Sequence, residues 1–232
     1  MMRKILVSLA VAGILSVGPA GAVVQADTPS TTIQSSFFDQ NSADDDNDFQ
    51  FANSPSSGRP RADRLAIPDN TPTPLEGIKW KKKKLKIYMS TQDPQLQWAY
   101  KDAVKKWNKV KAVHMTWTDD EEKANIIAAD GDLSNNTTGN SNVGYRTSEL
   151  GSTRTEYNPD TNALHLATST LDPNQLDYTN KQFRSEVAQH ELGHALGLAH
   201  APEYEHSVMI PRNIKTGITK NDAKTLRMLY RD

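Results

Sequence analysis

His190-Glu191-Leu192-Gly193-His194-Ala195-Leu196-Gly197-Leu198-Ala199-His200 has the form H-E-x-x-H-x-x-G-x-x-H, and one metal ion gives every fixed position in it a use. Side chains four apart share a face of an α-helix, so His190 and His194 present two imidazoles to one point. Glu191 sits one step round the same turn, beside that point, where its carboxyl can take a proton from a water. Gly197 tolerates positive φ, so the chain can leave the helix and swing back to bring in His200 as a third ligand. Three neutral nitrogens with a fourth tetrahedral position left for water form the donor set of a catalytic, not a structural, Zn²⁺. Incidental histidines on a buried helix would account for a bare H-E-x-x-H. They do not account for a glycine and a third histidine at these spacings.

Upstream, Thr179 to Gln182 fits a capping box, and Phe183, Val187, His190 and His194 follow at steps of four, three and four. The ligands therefore continue an apolar helix stripe. Downstream, Met209 stands nine residues after His200 in Ser207-Val208-Met209-Ile210-Pro211. Together these stretches resemble the signature of the metzincin zinc peptidases, and within them the matrixin-like (matrix metalloproteinase type) catalytic domains. The resemblance implies an α+β fold: a twisted mixed sheet of about five strands, an active-site helix, a methionine turn and a C-terminal helix. It further implies a zinc-dependent endopeptidase acting on protein or peptide substrates, which lie extended along an antiparallel edge strand. By the same resemblance Glu191 is the general acid/base, His190, His194 and His200 hold one catalytic Zn²⁺, and Met209 is the apolar floor of the site.

Some family features are altered. Where matrixins tend to carry Pro-x-Tyr as the outer wall of the pocket for the residue after the cut, this chain has Pro211-Arg212-Asn213, and Ile210 follows the methionine directly. No histidine lies between His114 and His165, so no second, structural zinc is expected. The chain has no cysteine, which excludes disulfides, thiolate zinc sites, a lipoprotein anchor and the cysteine latency switch of many matrixins. Asp39, Asp44 to Asp48, Asp63 or Asp69 has the chemistry to replace that switch, although a solvated acidic linker is the preferred reading.

The 232 residues carry a net charge of -1 and a pI near 6.6, which argues against a nucleic-acid binder. Arg3 and Lys4, the apolar run Ile5 to Val17 and the small-x-small Val24-Gln25-Ala26 predict a secretory signal peptide over 1–26, and hence a secreted or cell-surface protein without a retained membrane span. Residues 27–76 are rich in Ser, Thr, Asn, Asp and Pro. Eight acidic residues against three arginines over 28–76 leave a net -5, the composition of a disordered acidic pro-segment or linker. The catalytic domain is expected over 77–232, and no oligomer signal is present, so the chain reads as a monomer.

Within that domain Leu85, Ile87 and Met89 alternate as a strand after the basic run Lys81 to Lys84. Asp93-Pro94 opens a helix bearing Leu96, Tyr100, Ala103, Val104 and Trp107. Val113, Met115 and Trp117 mark a second strand, and Ala124 to Ala129 a third, continuous enough to be buried on both faces. Asp130 to Asn142 is a polar loop whose oxygens suit Ca²⁺, without the spacing of an EF-hand; a bare surface loop is preferred. Val143 to Tyr157 holds the next strand, with Gly144 and Gly151 at bends, and Ala163 to Ala167 returns antiparallel to it after the turn at 158–162. His165 and His206 lie outside the metal signature; His165 reads as a surface or packing histidine and His206 as a solvated loop histidine. Thr219 and Asp222 cap a last helix with Ala223, Leu226, Leu229 and Tyr230. The residues leave two other readings open: a zinc hydrolase of cell-wall amides, and a zinc-binding surface protein without turnover.

Overall fold

Leu85 and Ile87 are buried while Lys84 and Lys86, which alternate with them, are exposed, the pattern that makes Lys84–Met89 (β2) a strand with one core face. The computed structural model describes residues 4–10, 64–134, 149–212, 214 and 216–231. In chain order β2 is followed by helix α1 (Pro94–Lys109), β3 (His114–Thr118), β4 (Ile126–Asp130), β5 (Gly151–Asn158), β6 (Ala163–Leu171), the single turn α2 (Pro173–Leu176), α3 (Lys181–Ala195) and α4 (Lys220–Leu229). Backbone residues Lys4–Ala10, inside the segment expected to be a leader, form a further strand, β1.

The sheet runs β1-β5-β6-β4-β2-β3. β3, β2, β4 and β6 are parallel, and β5 pairs antiparallel with β6, from Gly151 opposite Leu171 to Asn158 opposite Ala163. β5 is thus the outermost of the domain's five strands, and β1 lies antiparallel against its free edge, from Lys4 opposite Tyr157 to Ala10 opposite Gly151. The expected α+β layout of a mixed sheet with an active-site helix and a C-terminal helix is present.

α1 begins as predicted, with Asp93 accepting hydrogen bonds from the Gln95 and Leu96 amides and Pro94 in the first turn. Its buried stripe of Leu96, Tyr100, Ala103, Val104 and Trp107 packs on the sheet and on α3. Full burial of each large apolar side chain contributes roughly 1.5–3 kcal/mol. The Tyr100 hydroxyl lies between the Ala129 and Ser169 carbonyls at 2.9 and 2.7 Å and ties the helix to β4 and β6.

Three local expectations are corrected. β4 buries Ile126 and Ala128 but leaves Ile127 partly exposed, so only one of its faces is fully covered. Trp117 is 39% exposed, because β3 is the last strand on its side of the sheet. The cap of α3 is Asn180, whose side chain accepts from the Phe183 amide at 2.9 Å. Thr179 does not cap, since its hydroxyl donates to the Leu176 carbonyl.

Structure also extends upstream of Gly77. Residues 64–76, placed in the acidic segment by composition, lie against the domain as a strap. The Leu65 amide donates to the Thr161 carbonyl, Ile67 and Leu75 pack on the core, and Thr73 is fully buried.

Candidate metal centre

Helix α3, which carries His190, Glu191 and His194, is held at both ends and along its back. Near its N-terminus the Ser185 hydroxyl donates to Asp102 of α1 at 2.5 Å, and in mid-helix the Trp107 indole donates to the Gln189 carbonyl at 2.9 Å. At the C-terminus Gly197 takes φ +97°, the Leu198 amide donates to the Gly193 carbonyl and the Gly197 amide to that of His194, completing a Schellman turn. A Cβ on residue 197 would stand 2.5 Å from the Ile78 carbonyl oxygen, so the predicted need for glycine is met twice over. Two carbonyls left over at the helix end accept from the Trp80 indole (Ala195, 2.9 Å) and the Tyr230 hydroxyl (Leu196, 3.0 Å).

That turn returns the chain so that His190, His194 and His200 gather with their ring centroids 4.7 to 5.3 Å apart. Among the described residues they form a group with potential ligand atoms all within 4.8 Å of one another. His190 Nδ1 lies 2.7 Å from the Val208 carbonyl oxygen, and His194 Nδ1 lies 2.9 Å from that of Leu198. A carbonyl only accepts, so each Nδ1 must carry the proton, and each Nε2 presents a bare lone pair. Those two lone-pair nitrogens stand 3.2 Å apart. Without a cation that contact is repulsive; two nitrogens about 2.0–2.1 Å from one tetrahedral zinc stand roughly 3.3 Å from each other. His200 Nε2 is buried without a hydrogen-bond partner. The donor set therefore fits a zinc ion.

Burial holds His190 well below the ordinary histidine range, with the neighbouring His194 acting the same way and its bond to Val208 opposing. Burial likewise lowers His200 to about 4. Both rings are kept neutral, the form that ligates metal.

Glu191 is fully buried, and burial raises its carboxyl to about 7; His194 and the Thr153 hydroxyl pull it down, and Glu149 pushes it up. Thr153 Oγ1 of β5 lies 2.7 Å from Glu191 Oε2 and 2.9 Å from the Glu191 carbonyl oxygen. Oε1 has no hydrogen-bond partner. Gly151 is the close neighbour of that oxygen: a Cβ there would come within 2.6 Å of it. By its sequence Gly151 reads only as a bend, and no pattern marks Thr153 or Gly151 as neighbours of Glu191.

Met209 is fully buried, and a Cβ on Gly193 would stand 2.4 Å from its sulfur. Met209 is therefore packed directly against α3 between His190 and His194. The turn bearing it hangs on Asp222, whose carboxyl accepts from the Ser207 hydroxyl (2.5 Å) and the Val208 amide (3.1 Å). The same carboxyl accepts from the Thr73 hydroxyl and from the Thr219 amide and hydroxyl. Asp222 was legible as half of a capping box, which is present. Its bond to Val208, the residue whose carbonyl orients His190, was not.

Of the expected pocket-wall residues, Pro211 is partly buried and Arg212 is exposed, 3.7 Å from Glu203. Arg212 lines a cavity of about 260 Å³ with Glu203, Glu205, His206 and Ile210 among its walls. Asn213 lies outside the described residues. His165 and His206 are exposed and are not members of the group formed by His190, His194 and His200. Most of the loop considered for Ca²⁺ also lies outside them; its described part holds Asp132 accepting from the Ser134 amide. The aspartates considered for latency lie outside them as well, except Asp69, which is exposed.

Residues 79–231, well over half of the chain, match the family model described as matrixin. No curated protein matches the chain.

Proposed function

The chain belongs to the matrixin family of zinc-dependent peptidases, and on that footing we propose that it is a secreted endopeptidase with Glu191 as its acid/base and His190, His194 and His200 as its zinc ligands. The observation that carries this is the pair of bare Nε2 atoms, 3.2 Å apart, with both Nδ1 atoms committed to carbonyls. A zinc ion supplies Lewis acidity, making a bound water acidic and polarising the scissile carbonyl.

Glu191 does the proton work. Oε2 is fixed by Thr153, which leaves Oε1 as the atom to accept a proton from the attacking water. As the C–N bond breaks, the same oxygen returns that proton to the leaving nitrogen, giving a carboxyl and an amine product. Burial raises this carboxyl above the ordinary range, the direction that helps it hold a proton taken from water until the leaving nitrogen receives it. His190 and His194 have their remaining ring protons bound by carbonyls and take no part in this exchange.

Substrate is held in extended form against the free edge of β5. The pairing of β1 with that edge supports this, since an antiparallel segment lies there with its end opposite Gly151, next to Glu191. Residues 1–26 are a leader removed on secretion, which leaves the edge to substrate. No helix among the described residues is long and apolar enough to cross a membrane.

Digestion of casein or a mixed peptide library, with a chelator control and the Glu191→Gln variant, tests the proposal. Cleavage abolished by both is the expected result. Cleavage of cell-wall amides alone would move the substrate class, and no zinc-dependent cleavage of either would leave a binding protein.

A further inference from the structure

The strap ahead of the domain ends on a carboxyl aimed at a metal ligand. Glu76 Oε1 lies 3.2 Å from His194 Nδ1, the nitrogen that also donates to the Leu198 carbonyl. The contact is nearly dry: the histidine side chain is 1% exposed and that of the glutamate 15%. The strap does not depend on this carboxyl for its place. The Glu76 amide donates to the Gly197 carbonyl (3.0 Å), the Ala199 amide to the Pro74 carbonyl (2.9 Å), and Leu75 pairs antiparallel with Leu198. Thr73 adds an amide bond to the Thr225 hydroxyl and a hydroxyl bond to Asp222. Gly77, at φ +78°, then turns the chain away into the domain.

The strap thereby reaches behind two of the three ligands. His194 is touched directly by Glu76. His190 is reached through Thr73, Asp222 and Val208, whose amide donates to the Asp222 carboxyl and whose carbonyl accepts from the His190 ring. A carboxyl on the distal N–H of a ligating histidine fixes the ring and makes its other nitrogen a better donor.

We propose that the Thr73–Glu76 strap is part of the metal centre and that Glu76 is a positioning residue for His194. The proposal rests on the zinc reading of the three histidines. The family match starts at residue 79 and so assigns nothing to the strap. A domain boundary drawn at Gly77 would cut away a component of the site.

The test is made on the full chain with zinc as the probe. Zinc affinity by chelator competition is measured for the parent, Glu76→Ala, Glu76→Gln and the ligand variant His194→Ala, together with the melting temperature of each zinc-free protein. The expected result is a loss of about 10- to 100-fold in affinity for Glu76→Ala, a smaller loss for Glu76→Gln, and unchanged zinc-free melting. Equal affinity in parent and Glu76→Ala would overturn the proposal. So would a loss of affinity matched by an equal destabilisation of the zinc-free protein, which would make Glu76 a strap fastener only. If the parent binds zinc no better than His194→Ala, the zinc reading itself fails, and the proposal with it.

Discussion

Two fully buried carboxyls lie near the three clustered histidines, one in the same helix and one behind the turn that carries Val208, and they are treated in opposite ways. Asp222, under the floor, accepts from five donors on three parts of the chain. Glu191, on α3 itself, has one oxygen bound by a threonine and the other without a hydrogen-bond partner. A buried polar group left unsatisfied carries a penalty of about 1–3 kcal/mol, so folds keep such groups only where something else requires them. Asp222 has the environment of a structural fastener. Glu191 has that of a group held ready for a proton.

The comparison can be broken by substitution. Glu191→Gln should lower turnover about 10²- to 10⁴-fold with zinc content unchanged, read by peptide hydrolysis and metal analysis. Near-parental turnover would remove Glu191 from the chemistry. Asp222→Ala should instead strike stability: loss of a buried multi-donor carboxyl costs about 3–5 kcal/mol, a fall in Tm of roughly 10 °C or more. A variant with normal melting and lost activity would put Asp222 on the chemical side of the comparison. Gly193→Ala forces a methyl group against the Met209 sulfur and should cost about 1–3 kcal/mol, seen as a lower midpoint in denaturant titration. Its relief by Met209→Ala would locate the clash. The smallest effect is expected from Thr153→Val, which removes one bond to the carboxyl, worth about 1.5 kcal/mol or tenfold in kcat. KM should stay close to parental, because that hydroxyl is already committed to Glu191.

The centre of the site was readable because its rules are local. Helical spacing places His190, Glu191 and His194, and a glycine at the required position returns the chain for His200. The floor was readable only in part. Met209 and the Thr219–Asp222 box are short patterns, whereas the bond from Asp222 to Val208 joins residues 14 apart across a turn with no period to reveal it. Thr179 and Asn180 are both good helix caps by chemistry, and the choice fell to Asn180 because the Leu176 carbonyl takes up the threonine hydroxyl. The strap was hidden for a different reason. It docks by backbone pairing and a few single side chains, while composition registers only its prolines, threonines and acids. Glu76 thus looked like the last charge of a linker.

The two indoles that brace the active-site helix give the protein an internal optical reporter. Trp107 donates to the carbonyl just before His190 and Trp80 to the one just after His194, and both rings are buried, at 0% and 4% exposure. Tryptophan emission follows the polarity and hydrogen bonding of the ring. Any loosening of the helix between these two carbonyls, whether by metal loss or by release of the strap, should appear as a change in intrinsic fluorescence without a label.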